Sequence, residues 1–260
     1  MTVRGRAVRR RTRRRVESVQ LTMFDPTRRK DGKKRRKPGP KRKRGSSSPH
    51  RERPEITART PAHVVLRVHR IVGSLRRAKI YQAIRWATIA MAKHEDRVRI
   101  VHVSIQKTHV HLIVEAEDRA ALARGMQSFQ ISAAKLINAA LARDEQGRRR
   151  RGTVFPDRYH LEVLDSPRRA RHALAYVLNN WRKHREDRGE RSRTWLVDPF
   201  SSGAYFNGWQ ELEHRDLFWD LPATYLNLFV WLPRSWLLRV GWRKHGLIAC
   251  HEVPSSMAGR

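Results

Sequence analysis

Four short stretches of the chain alternate between apolar and polar residues, a pattern typical of half-buried β-strands. They are His63 to Val68, Val98 to Ile105, residues 108–115 and a stretch near 158–164. Every second residue points to the same face of a sheet, so one parity of each stretch predicts a buried core. The predicted core-facing positions are Val64, Leu66, Val68, Val101, Val103, Ile105, Val110, Leu112, Val114, Leu161 and Val163.

Three further stretches carry apolar residues at helical spacing. One covers about 76–93, a long one follows Asp118 as N-cap, and a third opens at Ser166 with Pro167 in the first turn. The resulting order, βαββαβα in about 125 residues, predicts an α+β fold. We expect the ferredoxin-like (RRM-like) architecture, in which helices cover one face of an antiparallel sheet.

The opposite parity of the predicted strands is unusual because it is rich in histidine. It carries six of the 13 histidines of the chain, namely His63, His69, His102, His109, His111 and His160, together with Arg67, Ser104 and Glu162. An ordinary solvated sheet face is one interpretation. Solvated faces usually carry Lys, Glu and Thr, however, so the imidazoles favour a working surface.

Two of these histidines, His109 and His111, lie one residue apart and therefore share a face of their strand. Two imidazoles at that spacing can hold one divalent cation. The third helix adds His172, Tyr176 and Asn180, which are four residues apart and lie on one side. A phenol beside an amide suits a nucleophile next to a metal ligand. Tyr159 is a rival nucleophile, but it lies at the start of a strand without an amide partner.

Charge points to a polyanionic partner. The chain of 260 residues has 57 Lys and Arg against 24 Asp and Glu, a formal charge of +33, and Arg predominates. Nucleic acid is the first candidate for such a partner. We expect no membrane partner, because neither end carries a lipid-anchoring motif and the longest strongly apolar stretch, Tyr225 to Leu232, is too short to span a bilayer.

Composition divides the chain into three predicted regions. Residues 1–58 are predicted to be a basic disordered tail, since residues 1–60 carry 23 Lys and Arg against 5 Asp and Glu. Residues 59–188 form the folded domain, and residues 189–260 form an aromatic-rich C-terminal extension. The tryptophans of the extension favour packing against the domain over base stacking. The only cysteine, Cys250, excludes an intrachain disulfide.

Two segments resemble a known family of enzymes. The strand Thr108-His-Val-His-Leu-Ile-Val114 resembles the HUH motif, and the helix segment Tyr176-Val-Leu-Asn-Asn-Trp181 resembles the tyrosine helix of single-tyrosine (Y1) transposases. The similarity covers about residues 60–185 and points to the IS200-like group, most of all to its REP-associated tyrosine transposases. The chain departs from the pattern at Trp181, where a proline commonly follows the asparagine.

The resemblance implies the HUH fold and assigns roles within it. His109, His111 and Asn180 would bind Mg²⁺ or Mn²⁺, and Tyr176 would be the nucleophile. The implied activity is cleavage and rejoining of single-stranded DNA through a 5′-phosphotyrosine intermediate. His172 is a candidate for assisting proton transfer. The alternative is a non-catalytic or domesticated nucleic-acid-binding protein, which the lack of aromatic stacking positions on the sheet disfavours.

Further expectations concern partners and location. The partner is expected to be single-stranded or hairpin DNA, bound by a monomer or homodimer in the bacterial cytoplasm at the nucleoid. The candidate DNA-binding residues are all arginines: Arg148, Arg149, Arg150, Arg151, Arg158 and Arg171.

Overall fold

A computed structural model describes residues 53–94, 96–141, 150–189, 192, 194–212 and 226–253. It contains four strands in one sheet. They are β1 (Ala62–Arg67), β2 (Val98–Ile105), β3 (His109–Ala116) and β4 (His160–Val163). Their order across the sheet is β2-β3-β1-β4, and all neighbours are antiparallel. The predicted α+β fold with an antiparallel sheet is confirmed.

Two long helices cover the apolar face of the sheet. They are α1 (Ala78–His94) and α2 (Arg119–Ala140). The side chain of Asp118 caps α2 by accepting a hydrogen bond from the backbone amide of Ala121 at 2.6 Å. Buried side chains of both helices meet alternate residues of the strands in one core, which includes Phe129 and Leu112. The alternation therefore identified this face correctly.

One predicted core position, Val101, faces the other way. A β-bulge between Ile100 and His102 shifts the register of β2 against β3. Ile100 and Val103 both contact the apolar core, while Val101 packs on the opposite face. The assignment of Val101 to the first core was wrong, because one extra residue in a strand reverses the parity at that point.

The histidine face is covered as well. Helix α3 (Pro167–Lys183) lies across it, capped by the hydroxyl of Ser166. Its apolar side chains form a second core with Val101 and Ile113 of the sheet. As a result His63 and His111 are only 3% and 2% exposed. The part of this face under α3 is therefore an interior, while Arg67 and His160 of the same face remain exposed.

The C-terminal chain packs against the edge of β2. The amide of Ile105 donates to the carbonyl of Phe200, and the amide of Trp231 donates to the carbonyl of Ile100, each at 2.8 Å. Short helical turns follow, including the helix α4 (Trp236–Arg239). Trp209 and Trp242 are buried in the second core, as the packing interpretation expected.

A buried arginine ties this extension to the domain. Arg76 donates two hydrogen bonds of 2.8 Å to the carboxylate of Asp198, and its Nε lies 2.7 Å from Glu186. The three side chains are 9%, 0% and 4% exposed. The pairs join the start of α1 to the chain that follows α3.

The predicted tail falls mostly outside the described residues. Of residues 1–58, the structure describes 53–58, and Ile56 among them is buried in the first core. Within the described part of the chain, no helix has the length and apolar character needed to cross a bilayer.

Candidate active site

The two histidines of β3 point to the same side of the sheet and nearly touch. The ring centroids of His109 and His111 are 4.6 Å apart, with the ring planes at 77°. Nδ1 of His109 lies 3.1 Å from the hydroxyl oxygen of Thr108. His111 is buried, whereas His109 is partly exposed. The strand thus places one imidazole inside and one at the mouth of the site.

A third imidazole, from β1, contacts this pair. Nε2 of His63 lies 3.0 Å from Nδ1 of His111, and the two rings stack with centroids 5.2 Å apart and planes 13° from parallel. Strands β1 and β3 are antiparallel, and the Cα partner of His111 is Val65. His63 therefore reaches His111 diagonally across the strand pair, from two residues away.

Helix α3 contributes the phenol and the carboxamide. Nδ2 of Asn180 lies 2.7 Å from Nε2 of His111. The ring centroid of Tyr176 is 5.4 Å from that of His111 and 5.8 Å from that of His63. Tyr176 and Asn180 face the sheet together because a spacing of four residues places them one above the other. A single chain therefore brings together the carboxamide of Asn180, the phenol of Tyr176 and the imidazoles of His63 and His111.

A cavity of about 570 Å³ opens over these groups. Its lining combines imidazoles, the phenol and several charged side chains. The lining residues are His63, Val65, Arg67, His109, His111, His160, Leu161, Glu162, Arg169 and Tyr176. The volume is within the range of ordinary ligand sites.

Burial sets the charge of the histidines in the site. It lowers the pKa of His63 to about 3 and that of His109 to about 4, and it holds the pKa of His111 well below its ordinary value. Neighbouring imidazoles add to each shift, because two positive charges repel. The three rings are therefore neutral near pH 7, the state in which imidazole binds a metal ion.

Burial shifts the pKa of Tyr176 in the opposite direction from that of the histidines. Loss of solvent raises the pKa of the Tyr176 phenol, because burial disfavours the charged phenolate. The ammonium of Lys183 lies 4.8 Å from the centroid of the Tyr176 ring. Without a further positive charge, the phenol thus stays protonated near neutral pH.

The donor atoms fit a divalent cation. No group of three or more His, Cys, Asp or Glu side chains suited to a metal ion occurs in the described part of the chain. The expected ligands, however, are two imidazoles and a carboxamide. Oδ1 of Asn180 is buried and has no hydrogen-bond partner within the described part of the chain, and its carboxamide contacts the ring of His111. An unpartnered buried oxygen next to neutral imidazoles is suited to a cation such as Mn²⁺.

The remaining predicted residues lie in different surroundings. His172 is half-buried one turn before Tyr176, and its charge acts on the pKa of His63. Arg171 is held away from the cavity by the carboxylate of Glu252, at 2.8 and 2.9 Å. Arg158 is exposed in the loop before β4.

The basic loop before β4 is only partly described. Arg150 donates hydrogen bonds to the side chain of Asn138 and the carbonyl of Thr153, and Arg151 is exposed. Arg148 and Arg149 lie outside the described residues. The structure does not place this loop among the residues that line the cavity.

Several cavity residues were not among the sequence-predicted site residues. His63, His160 and Glu162 lie on the histidine parity of β1 and β4, and Arg67 ends β1. The only sequence signal for these residues is their position on the histidine-rich parity of the predicted strands. It could not show which members of the face would meet Tyr176, because that depends on where α3 crosses the sheet.

Part of the chain matches a known protein family. Residues 59–180 match the sequence profile of the family described as "Transposase IS200 like". Among solved structures, the chain is similar to a REP-associated tyrosine transposase bound to a REP hairpin, with 15% sequence identity and a TM-score of 0.40. That similarity covers 53% of this chain and 74% of the other. No curated protein matches the chain.

Proposed function

We propose that the chain, whose residues 59–180 match the IS200-like transposase family, cleaves and rejoins single-stranded DNA through a covalent tyrosyl–DNA intermediate. The family implies DNA binding and cleavage in general. Beyond this general activity, we propose the nucleophile, the covalent intermediate and the metal ion. One observation carries it: Tyr176 and Asn180, from one helix, both contact the ring of His111, and Tyr176 and His111 line one cavity.

The proposed reaction is a transesterification. The phenol oxygen of Tyr176 forms a bond to the scissile phosphorus, and the bond from phosphorus to the 3′ oxygen breaks. The phenol loses its proton, and the leaving 3′ oxygen gains a proton and becomes a 3′-hydroxyl. No water and no nucleoside triphosphate is consumed. Rejoining reverses these steps, because the phosphotyrosine ester keeps the energy of the phosphodiester bond.

A divalent cation would be held by His109, His111 and Oδ1 of Asn180. When bound, it would supply positive charge next to the scissile phosphate and the attacking oxygen. The chain itself keeps the imidazoles neutral through burial and holds Tyr176 beside them. The raised pKa of Tyr176 means that the phenol is a weak nucleophile until positive charge is present.

Basic residues at the cavity would bind the DNA backbone. Arg67 and Arg169 line it beside Tyr176, and a guanidinium binds phosphate oxygens in a planar fork. Arg169 is also paired with Asp165 at 3.0 Å, an exposed contact that a phosphate can replace. The formal charge of +33 supports non-specific attraction to the strand.

The test is the capture of a covalent adduct. The full chain is incubated with Mn²⁺ and a DNA hairpin that carries single-stranded flanks, and the products are separated under denaturing conditions. We expect an adduct from the wild-type protein and none from Tyr176→Phe, which should bind DNA with unchanged affinity. Tyr159→Phe is the matched control, since Tyr159 is the rival nucleophile considered from the sequence, and this variant should form the adduct normally.

Two outcomes would contradict the proposal. An adduct that survives Tyr176→Phe would move the nucleophile elsewhere. DNA binding without any adduct, across hairpins and metals, would favour the non-catalytic binding protein. A cytoplasmic location at the nucleoid and the choice between monomer and homodimer stay predictions.

A further inference from the structure

We propose that His63 is a positioning residue for the metal site: it accepts a hydrogen bond from Nδ1–H of His111 and so keeps the proton off Nε2 of His111, whose lone pair accepts from the Asn180 amide and would bind the cation in place of that hydrogen bond. The inference rests on the proposed function only in taking His111 as a ligand. His63 lies on β1, outside the HUH strand and outside the tyrosine helix.

The hydrogen bonds around His111 determine its tautomer. Nδ2 of Asn180 carries two hydrogens and can only donate, and it lies 2.7 Å from Nε2 of His111. With the amide of Asn180 oriented in this way, Nε2 presents a lone pair, and the ring proton of neutral His111 is on Nδ1. The group facing that proton, at 3.0 Å, is Nε2 of His63, which must accept.

The same chain of bonds leaves an unpaired atom on His63. Since Nε2 of His63 accepts, its own proton is on Nδ1, and that buried nitrogen has no hydrogen-bond partner among the described residues. A buried polar atom without a partner costs free energy. An apolar side chain at position 63 would avoid this cost, so stability alone does not explain the histidine.

The alternative tautomer would prevent metal binding. If His63 donated to Nδ1 of His111, the proton of His111 would be on Nε2, the nitrogen that faces Asn180. A protonated nitrogen has no lone pair for a metal ion. Partners that orient metal-binding histidines in this way typically change metal affinity about 10- to 100-fold.

The fold fixes His63 in this role. Its strand is paired on both sides, with Glu162 of β4 opposite it and Val65 of the same strand opposite His111. The rings of His63 and His111 are stacked nearly parallel. His63 can therefore hold the orientation of the His111 ring as well as its proton.

The first experiment measures Mn²⁺ affinity of the full chain without DNA, by calorimetry or by the electron paramagnetic resonance of free Mn²⁺. We expect His63→Leu, which keeps the volume but has no acceptor, to weaken binding about 10- to 100-fold. His63→Gln should recover most of the affinity, because its amide oxygen can occupy the place of Nε2. His63→Asn should not, because its shorter side chain falls short of Nδ1 of His111.

The matched control is His102→Leu. His102 is also a buried histidine on this face, but it bonds to Ser202 and contacts Phe206, away from Tyr176. The His102→Leu variant should bind Mn²⁺ with the same affinity as the wild type. Equal weakening by His102→Leu and His63→Leu would show a general loss of packing and would overturn the inference.

A spectroscopic measurement tests the tautomer directly and needs no variant. Long-range ¹H–¹⁵N spectra of the full chain without metal should show His111 with its proton on Nδ1. A proton on Nε2 would overturn the inference, and this result does not depend on whether the variants fold.

The failure of this inference can be told apart from the failure of the proposed function. If His111→Leu leaves Mn²⁺ binding unchanged, the metal site itself is wrong, and the inference falls with it. If His111→Leu removes binding while folded His63→Leu binds Mn²⁺ normally, only the role of His63 is wrong.

Discussion

The two faces of the sheet are both buried, yet they are built from different chemistry. The face under α1 and α2 is packed mainly by apolar side chains, and the hydroxyl of Tyr81 in this core donates to the carbonyl of Leu226 at 2.6 Å. The face under α3 combines an apolar core with the buried histidines His63, His102 and His111. Each of these imidazoles contacts a polar partner: His63 and His111 each other, and His102 the hydroxyl of Ser202.

This difference separates stability from reactivity. Burying a leucine needs only space and shape, while burying an imidazole requires that it be neutral and hydrogen-bonded. The first face therefore contributes stability at any pH. The second face contributes its full stability only at a pH where its histidines are neutral. The same burial places neutral imidazole nitrogens next to the phenol of Tyr176.

The largest expected effect comes from acid, which should act through the histidine face. The pKa values of His63, His102 and His109 in the folded protein are about 3, 4 and 4, against about 6.5 in the unfolded chain. Between pH 6.5 and 4 the unfolded chain therefore binds more protons, so stability is lost as the pH falls. Each histidine removes about 1.4 kcal/mol per pH unit at most.

Urea unfolding at pH 7.5, 6 and 5 measures this loss. The variant His102→Leu, which lacks one of these groups, should show a shallower fall with pH than the wild type. A free energy of unfolding that stays constant from pH 7 to 5 would contradict the burial of neutral histidines on this face.

A cavity on the apolar face should affect stability alone. Phe129 of α2 is fully buried there, and Phe129→Ala should lower the free energy of unfolding by about 3–5 kcal/mol. The DNA adduct formed per folded molecule should stay at the wild-type level, because Phe129 contacts the face opposite Tyr176. Phe129→Leu, with a smaller expected cost, provides a folded variant for the same assay; a loss of adduct there would show that the faces are coupled.

The ion pairs allow a smaller comparison between buried and exposed charge. Asp198→Asn should cost about 3 kcal/mol, since it leaves the buried Arg76 with less compensating charge. The exposed pair of Arg97 and Glu117 is the control, and Glu117→Gln should change the free energy of unfolding much less than Asp198→Asn does. Similar costs for both variants, measured by urea unfolding, would mean that Arg76 does not anchor the C-terminal chain.

Much of the fold was predictable because local patterns determine it. Alternation located all four strands, and the caps Asp118 and Ser166 located the starts of two helices. The exception is Val101: the bulge coincides with the adjacent apolar residues Ile100 and Val101, and alternation counted back from Val103 assigns Val101 to the wrong face.

The candidate site was predictable in part. The spacing of His109 and His111 and that of Tyr176 and Asn180 each indicate a shared side of one element. The contact between Asn180 and His111 and the role of His63 depend on pairs of residues 69 and 48 positions apart. A local periodicity in the sequence cannot predict contacts between residues so far apart along the chain.

The sequence by itself determined the elements, their apolar faces and the kinds of side chain available for chemistry, because these depend on neighbours within a few residues. The tertiary structure decided that α3 and the C-terminal chain close over the histidine face. That closure removes water from the imidazoles, keeps them neutral and places the phenol beside them, and only packing between distant segments can produce it.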